Sequence, residues 1–226
     1  MGNVIMSGIV PPLEKPVGLP ALSTIAEGSI VKLNENGSPV EFYVAKHDYE
    51  SGLNGAGRTL LVRKDCHSMR VWDAGGVNSY PESDIASWLN GDYKALLNAK
   101  LQDNINTTSF YYVPGSTPTG STKREVLQQA VFMLSLIEMG GSEKSYAPTV
   151  DGGELSIADS LRIAYLNGSA VIQWTRSPSL GSSGSVCALS TTGVGGIYTI
   201  TNAYGVRPCF TLPATALVAE DGTIIV

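Results

Sequence analysis

The sequence has few charged residues. Asp, Glu, Lys and Arg make up 15% of its 226 residues, against about a quarter in an average soluble protein. Acidic residues outnumber basic ones by 20 to 15, which gives a formal net charge of -5. No cluster of Lys or Arg is present, and nucleic acids are bound through basic surfaces. We therefore expect no nucleic-acid partner.

Histidine and cysteine are scarce as well, which limits catalysis and metal binding. The chain has His47 and His67, and its three cysteines, Cys66, Cys187 and Cys209, form no CxxC pair. An odd number of separated cysteines fits neither a disulfide framework nor a zinc site. Cys66 and His67 are adjacent, so on a strand they would point to opposite faces. A Ser-His-Asp triad stays open, but no Gly-x-Ser-x-Gly elbow occurs. We expect no enzyme activity, catalytic residue, metal or cofactor.

Long apolar runs are also absent. No stretch approaches the roughly eighteen apolar residues that a membrane span requires. The segment 1–10 carries no charge, and Pro11-Pro12 ends its apolar run, unlike a signal peptide. We expect synthesis in the cytoplasm without export, and no insertion into a membrane.

The first 24 residues differ in composition from the rest. Pro11, Pro12, Pro16 and Pro20 disfavour a helix and favour an extended path. Its aliphatic residues, among them Val4, Ile5, Ile9, Val10, Leu13 and Leu19, are more than a disordered tail usually carries. We predict an extended arm over 1–24, packed on another subunit and not on its own domain, and a single domain over 25–226. A homo-oligomer is the expected assembly.

Several elements follow from local patterns. Strands are predicted at Ser29–Leu33 and Val40–Ala45, joined through Asn36-Gly37, a step that suits a tight hairpin. A helix is predicted with Ile85 and Trp88 on its inner face and Asn90-Gly91 at its end. Its N-cap is either Ser79, in a Ser-x-x-Glu capping box with Glu82, or Ser83. Local propensity favours a further helix over 125–130.

The C-terminal fifth is the most informative part of the chain. No charged residue lies between Arg176 and Arg207, and Ser, Thr and Gly dominate the interval. Short polar side chains with interspersed Tyr suit adaptable binding surfaces, as in antibody loops, although solvated turns have the same composition. We predict ligand-binding residues at Ser179, Ser182, Ser183, Thr191, Thr192, Tyr198, Asn202 and Tyr204.

A rigid frame is expected beneath this surface. We predict structural anchors at Trp88, Trp174, Arg176 and Arg207. Arg207 should be buried, with its guanidinium bonded to carboxylate or backbone oxygens. Asp84 and Asp159 are the candidate carboxylates.

The segment Trp174-Thr175-Arg176-Ser177-Pro178, a Gly- and Ser-rich stretch, and Gly205-Val206-Arg207-Pro208 together resemble a widespread family of bacterial and phage domains. That family is related to the formylglycine-generating-enzyme branch of the C-type lectin fold, which includes the variable proteins of diversity-generating retroelements. Ser83–Asn90 and Val131–Ser135 match the family's helix and buried strand, so the resemblance spans about 28–212. It implies an α+β, C-type-lectin-like single domain with short helices packed on small antiparallel sheets.

The resemblance also implies a function. It suggests a phage virion surface protein, at a tail tip, fibre or capsid surface, that recognises a host glycan or protein through the 177–204 segment. The arm would contact other virion subunits. An alternative is a capsid or tail decoration protein that binds only its own virion.

A third alternative is a formylglycine-generating-type oxidase. In that family two cysteines hold copper, and here Cys187 and Cys209 stand in the corresponding region without the family's spacing. The calcium-binding motifs Glu-Pro-Asn and Trp-Asn-Asp of C-type lectins are absent, which disfavours calcium-dependent sugar binding.

Overall fold

The computed structural model describes residues 18–141 and 145–226. Short strands dominate it, with a few short helices between them, so the predicted α+β class is confirmed. Most of the predicted arm, residues 1–17, lies outside the described residues. None of the helices in the described ranges is both long enough and apolar enough to span a bilayer.

The strands in chain order are β1 (Ile30–Glu35), β2 (Ser38–His47), β3 (Arg58–Arg63), β4 (Ser68–Val71), β5 (Thr108–Tyr112), β6 (Glu125–Gln129), β7 (Val131–Phe132), β8 (Ala164–Leu166), β9 (Ser169–Val171), β10 (Gln173–Pro178), β11 (Ser185–Leu189), β12 (Gly195–Thr199), β13 (Ala203–Val206), β14 (Cys209–Pro213), β15 (Leu217–Val218) and β16 (Ile224–Ile225). The α-helices are α1 (Ser51–Asn54), α2 (Asp84–Trp88), α3 (Lys94–Leu96), α4 (Ala99–Asn104) and α5 (Ala158–Leu161). A π-helical turn covers Leu89–Tyr93, and 3₁₀ turns cover Leu22–Thr24 and Tyr80–Glu82.

The first sheet has the order β1-β2-β3-β14-β7, and all its pairs are antiparallel. The β1–β2 hairpin turns at Asn36 and Gly37, whose φ angles of 52° and 79° are the positive values that tight hairpins need. The predicted hairpin is therefore confirmed. Its inward side chains alternate with exposed ones along β1, as expected for a strand with one buried face.

The second sheet has the order β12-β11-β10-β13-β4. Its pairs are antiparallel except for β10 and β13, which run parallel. The central strand β10 is buried along its whole length. The two sheets share one hydrophobic core, in which Phe42 and Phe210 from the first sheet, Trp174 from the second and Trp72, which directly follows β4, are at most 1% exposed.

The chain passes directly from one sheet to the other at two neighbouring places, while its other crossings run through the small sheets and loops in between. Between β3 and β4 it leaves the first sheet for the second, and between β13 and β14 it returns. The two passages are hydrogen-bonded to each other, because the amide of Arg63 donates to the carbonyl of Pro208 and that of His67 to the carbonyl of Val206. The Gly205-Val206-Arg207-Pro208 segment therefore lies where the sheets join.

The helix after Ser83 begins as predicted but ends later. The Ser83 hydroxyl accepts a hydrogen bond from the Ala86 amide, so Ser83, one of the two predicted residues, is the N-cap. The predicted end at Asn90-Gly91 is wrong, since the π turn continues the helix into α3. The Asn90 side chain instead bonds the backbone of Ala130 and Val131, and Gly91 does not take the positive φ of a C-terminal glycine.

Two further expectations differ from the structure. The helix expected over 125–130 is wrong, because β6 occupies this segment and pairs along its length with β5. A partner strand outweighs a weak helix propensity. The arm expectation is wrong for its last residues, because Leu22 is fully buried in its own domain and its amide donates to the carbonyl of Ala216.

Candidate functional site

Arg176 carries a fully buried ion pair beneath the predicted binding segment. It lies on β10, and its guanidinium meets Glu138 through two bonds, Nη1 to Oε2 at 2.5 Å and Nη2 to Oε1 at 3.0 Å. Both side chains have no exposed surface. The Tyr49 hydroxyl and the Ser135 amide donate to the same carboxylate at 2.6 and 2.8 Å. Every ionic partner of this pair is satisfied, as a buried charge requires.

Asp151 is a second buried carboxylate beside this pair. Its Oδ2 accepts a 2.5 Å hydrogen bond from the Ser177 hydroxyl, and its carbonyl accepts one from Arg176. Oδ1 is buried without a partner within the described part of the chain. Burial, assisted by the Glu138 charge, raises the pKa of Asp151 to about 6. The single cation Arg176 therefore lies beside two buried acidic residues, Glu138 and Asp151.

Arg207 links the β13–β14 connection to the β3–β4 connection by hydrogen bonds. Its guanidinium donates to the carbonyls of Arg63, Lys64 and Leu161, and to the side-chain oxygen of Gln173. The prediction of a buried Arg207 is confirmed, with 4% exposure. The candidate partners Asp84 and Asp159 are wrong. Backbone oxygens fill the site, and Asp84 accepts from the Ala74 amide instead.

The two tryptophan anchors are both buried. Trp174 is 1% exposed, and its indole N–H donates to the carbonyl of Arg70 at 2.8 Å. Trp88 is 8% exposed and packs against the rings of His67 and Tyr93. Both residues therefore belong to the frame, as expected.

Three of the predicted binding residues come together. The rings of Tyr198 and Tyr204 are 5.3 Å apart, and Tyr204 in turn lies 4.8 Å from Trp174. The amide of the exposed Asn202 donates to the Tyr204 hydroxyl at 3.3 Å. Both tyrosines are partly exposed. We call Tyr198, Asn202 and Tyr204 the tyrosine patch.

The other predicted binding residues lie elsewhere. Ser179 is 1% exposed, so it is not a surface contact. Ser182 and Ser183 lie at the end of β11 that pairs with Thr199. The exposed Thr191 and Thr192 form the turn at the opposite end of the β11–β12 hairpin. The predicted set is therefore not one continuous site.

Arg70 is a neighbour of the tyrosine patch that the sequence analysis missed. It lies on β4 directly opposite Tyr204 on β13. Its guanidinium carbon sits 3.8 Å from the centre of the Trp88 ring. Arg70 and Trp88 line a surface cleft of about 390 Å³ together with Met69, Val71 and Ile85. The alternation Met69-Arg70-Val71 was the available signal, but it does not identify the neighbouring strand.

Among the described residues, neither histidine is hydrogen-bonded to a cysteine thiol, and the Nδ1 of His67 instead lies 3.0 Å from the Ser68 hydroxyl. Both ring nitrogens of His47 are bonded, to the Thr59 hydroxyl and the Ile25 carbonyl. His67 packs between Trp88 and Tyr93. Burial raises the pKa of Cys66 to about 11, which disfavours its thiolate.

The remaining two cysteines lie on different sheets. Cys187 lies on β11 of the second sheet and Cys209 on β14 of the first, and both are free and buried. Burial raises the pKa of Cys187 to about 12 and that of Cys209 well above its usual value. Across the residues that the structure describes, no three His, Cys, Asp or Glu side chains are grouped as metal ligands.

A second cleft, of about 370 Å³, opens near the Asp151 loop. Its walls carry both signs of charge, with Lys46 and Arg124 facing Asp48 and Glu50. The Arg124 guanidinium stacks 3.8 Å from the Tyr111 ring. This mixed surface specifies no one ligand class.

Comparison with known proteins gives one match. Residues 56–214 match a domain family described as a domain of unknown function, DUF6273. This range includes β3 through β14, and with them the tyrosine patch, Arg70 and both buried arginines. No curated protein and no solved structure matches the chain. Because the match covers more than half of the sequence, the chain belongs to the DUF6273 family.

Proposed function

We propose that the protein is a non-enzymatic binding module that recognises its ligand through the tyrosine patch. The observation that carries this proposal is the contact of Tyr198 and Tyr204 with each other above the buried Trp174. Tyrosine rings held in one position offer a large amphipathic contact area at little entropic cost.

The rigid frame supports the same proposal. Arg176 fixes β10 through buried ionic bonds, and Arg207 fixes the passages between the sheets. A binding surface on rigid elements loses little conformational freedom when the ligand binds. The uncharged 177–206 interval leaves this surface adaptable in its polar contacts.

The C-type-lectin-like fold and the place on a virion are parts of this proposal. Their support is the order of the motifs from Ser83–Asn90 through Gly205-Val206-Arg207-Pro208, which resembles the bacterial and phage domains described above. We propose a virion surface protein at a tail tip, fibre or capsid surface, with a host glycan or protein as the ligand. Residues 1–17 of the predicted arm would contact other virion subunits, and the assembly would be a homo-oligomer.

A decoration protein that binds only its own virion is the second candidate. The β15–β16 hairpin favours it, because Leu217 is 40% and Ile225 is 47% exposed. These two side chains lie at the wall of an apolar cleft with Ala216 and Pro213. Exposed apolar surface of this kind suits contact with another protein.

Replacement of the tyrosine patch tests the proposal. The triple variant Tyr198→Ala, Asn202→Ala, Tyr204→Ala should fold but lose attachment to host cells, measured by binding of the labelled protein. A central aromatic contact often contributes about 2 kcal/mol or more to binding. The matched control Thr191→Ala, Thr192→Ala changes exposed residues of the same hairpin and should bind normally.

Two results would contradict recognition. One is normal attachment by the triple variant; the other is a wild-type protein that coats its own capsid and no host surface, which is the outcome expected of a decoration protein. Attachment should also persist in a calcium chelator, since the 177–206 interval has no carboxylate to ligate the ion.

A further inference from the structure

Arg70 is a charged group with unfilled hydrogen-bonding capacity at the edge of the tyrosine patch. None of its guanidinium nitrogens donates a hydrogen bond within residues 18–141 and 145–226, and its Nε is sealed from solvent without an acceptor. An arginine offers five N–H donors in a fixed fork, which matches a carboxylate. Arg70 is half-buried, whereas Arg176 and Arg207 are buried and have their donors filled.

The surroundings hold the Arg70 guanidinium in place while leaving it unpaired. Its face stacks on Trp88 at 3.8 Å, and Met69, Val71 and Ala203 line the same cleft. Desolvation lowers the pKa of Arg70, which is the sign of a cation without full compensation. An incoming anion would supply that compensation.

The nearby acids do not fill this role. Asp84 lies in the cleft wall, but its Oδ2 accepts from the Ala74 amide at 2.8 Å. The charge of Asp92 partly offsets the lowering of the Arg70 pKa, but Asp92 forms no ion pair with Arg70 among the described residues. On the other side of Arg70 the 177–206 interval contributes no acid.

From this geometry we infer that the tyrosine patch and Arg70 form one site for a carboxylate-bearing sugar. Tyr204 lies directly across from Arg70, so a ring stacked on the tyrosines can present its carboxylate to the guanidinium. Asn202 adds a neutral amide for the sugar hydroxyls. The inference rests on the proposed function and narrows its ligand to acidic glycans.

The test compares two forms of one oligosaccharide. The probe is a tetrasaccharide of alternating D-glucuronate and N-acetylglucosamine, and its partner is the same molecule with the carboxylates reduced to alcohols. Titration calorimetry of the full chain should show at least tenfold tighter binding of the acidic form, weakening as salt increases. Arg70→Gln should remove this preference, and Arg70→Lys should restore it only in part, because the fork is lost.

Lys100→Gln is the matched control, because it removes one positive charge from an exposed helix position outside the cleft. It should keep the preference. Circular dichroism and the melting temperature establish that Arg70→Gln is folded, and a second variant, Trp88→Phe, should weaken the preference by loosening the guanidinium.

Several outcomes would overturn the inference. Equal binding of the two forms, with loss of both in the tyrosine-patch variant, would refute the role of Arg70 while leaving the binding module intact. Equal affinity for a tetraglutamate peptide would refute the claim that the ligand is a sugar. Failure of the acidic tetrasaccharide to bind at millimolar concentration would also refute it, and the host-cell experiment would still decide the proposed function.

Discussion

Arg176 and Glu138 illustrate the cost of a buried ion pair that loses one member. Arg176→Met would leave the Glu138 carboxylate buried with only Tyr49 and Ser135 as donors. We expect a loss of roughly 3 to 5 kcal/mol in the free energy of unfolding. Urea denaturation at neutral pH measures it.

The control for this change is Thr192→Ala, on the exposed turn of the β11–β12 hairpin. Its effect should stay within about 0.5 kcal/mol. The double variant Arg176→Met, Glu138→Gln should recover part of the loss, since the unpaired Glu138 charge is removed. Equal midpoints for Arg176→Met and Thr192→Ala would contradict a stabilising frame.

Asp151 gives stability a pH dependence of known sign. Because its pKa of about 6 in the folded state lies above that of an unfolded aspartate, about 3.9, the folded chain binds more protons than the unfolded chain between these values. Its contribution therefore favours folding at low pH and is lost as the pH rises through about 6. The ionised Asp151 therefore lowers the free energy of unfolding above pH 6 by an amount on the order of 3 kcal/mol.

Asp151→Asn should consequently stabilise the protein at pH 7.5 and have little effect at pH 4. The amide oxygen can still accept from the Ser177 hydroxyl, so the hydrogen bond survives. Comparison of wild-type and variant urea midpoints across this range isolates the Asp151 contribution. A variant that is less stable than wild type at pH 7.5 would show that the ionised carboxylate is needed.

Single residues were predictable from the sequence only in part. The burial of Arg207 could be inferred from its apolar neighbours Val206 and Phe210. Its partners could not, because they are backbone carbonyls of residues such as Arg63, which no sequence pattern marks as acceptors. Arg70 was missed for the same reason, since its importance depends on Trp88 and Tyr204.

At the scale of elements, Gly205 determines how closely β13 can approach its neighbours. A Cβ at this position would lie 2.5 Å from the Cys66 sulfur and 3.1 Å from the Ile172 carbonyl oxygen. Gly205→Ala should therefore destabilise the fold by about 1 to 3 kcal/mol through overpacking. The melting temperature and urea midpoint measure this.

Gly91→Ala is the matched control, since a Cβ there would meet nothing within 4 Å. In the helical turn an alanine should be neutral or stabilising by up to about 1 kcal/mol. The double variant Cys66→Ala, Gly205→Ala should regain stability relative to Gly205→Ala. If both glycine variants behave alike, steric crowding is not the reason for Gly205.

Elements defined by local chemistry were predictable, and those defined by distant partners were not. The Asn36-Gly37 hairpin and the Ser83 cap follow from backbone preferences within a few residues. The strand at 125–129 depends on pairing with β5, and the helix continues past Asn90 because that side chain bonds β7. Neither interaction leaves a local signal.

At the scale of the whole molecule, the predicted 1–24 arm divides into residues 1–17 and a last part, with Leu22, that packs in the domain. Leu22 belongs to the core, so we expect deletion of residues 1–17 to leave the melting temperature nearly unchanged and to reduce self-association. Light scattering and thermal denaturation of the truncated chain measure the two effects. A Leu22→Ala variant should instead lose about 2 to 5 kcal/mol.

An unchanged oligomeric state after the deletion would contradict the role of the arm in assembly.

The α+β class was predictable at this scale because many short patterns interrupted by Gly and Pro favour small sheets. The sheet order was not, since it joins strands from opposite ends of the chain.

The order of the strands in the two sheets has a consequence for folding during synthesis on the ribosome. Strands β3 and β4, from the first third of the chain, pair with β14 and β13, from near its other end. A ribosome delivers residues 203–213 last among these, so neither sheet can be completed until they emerge. Until then β3 and β4 present open edges that can join other chains. We expect slow folding, on the scale of milliseconds to seconds, and a nascent chain that depends on chaperones.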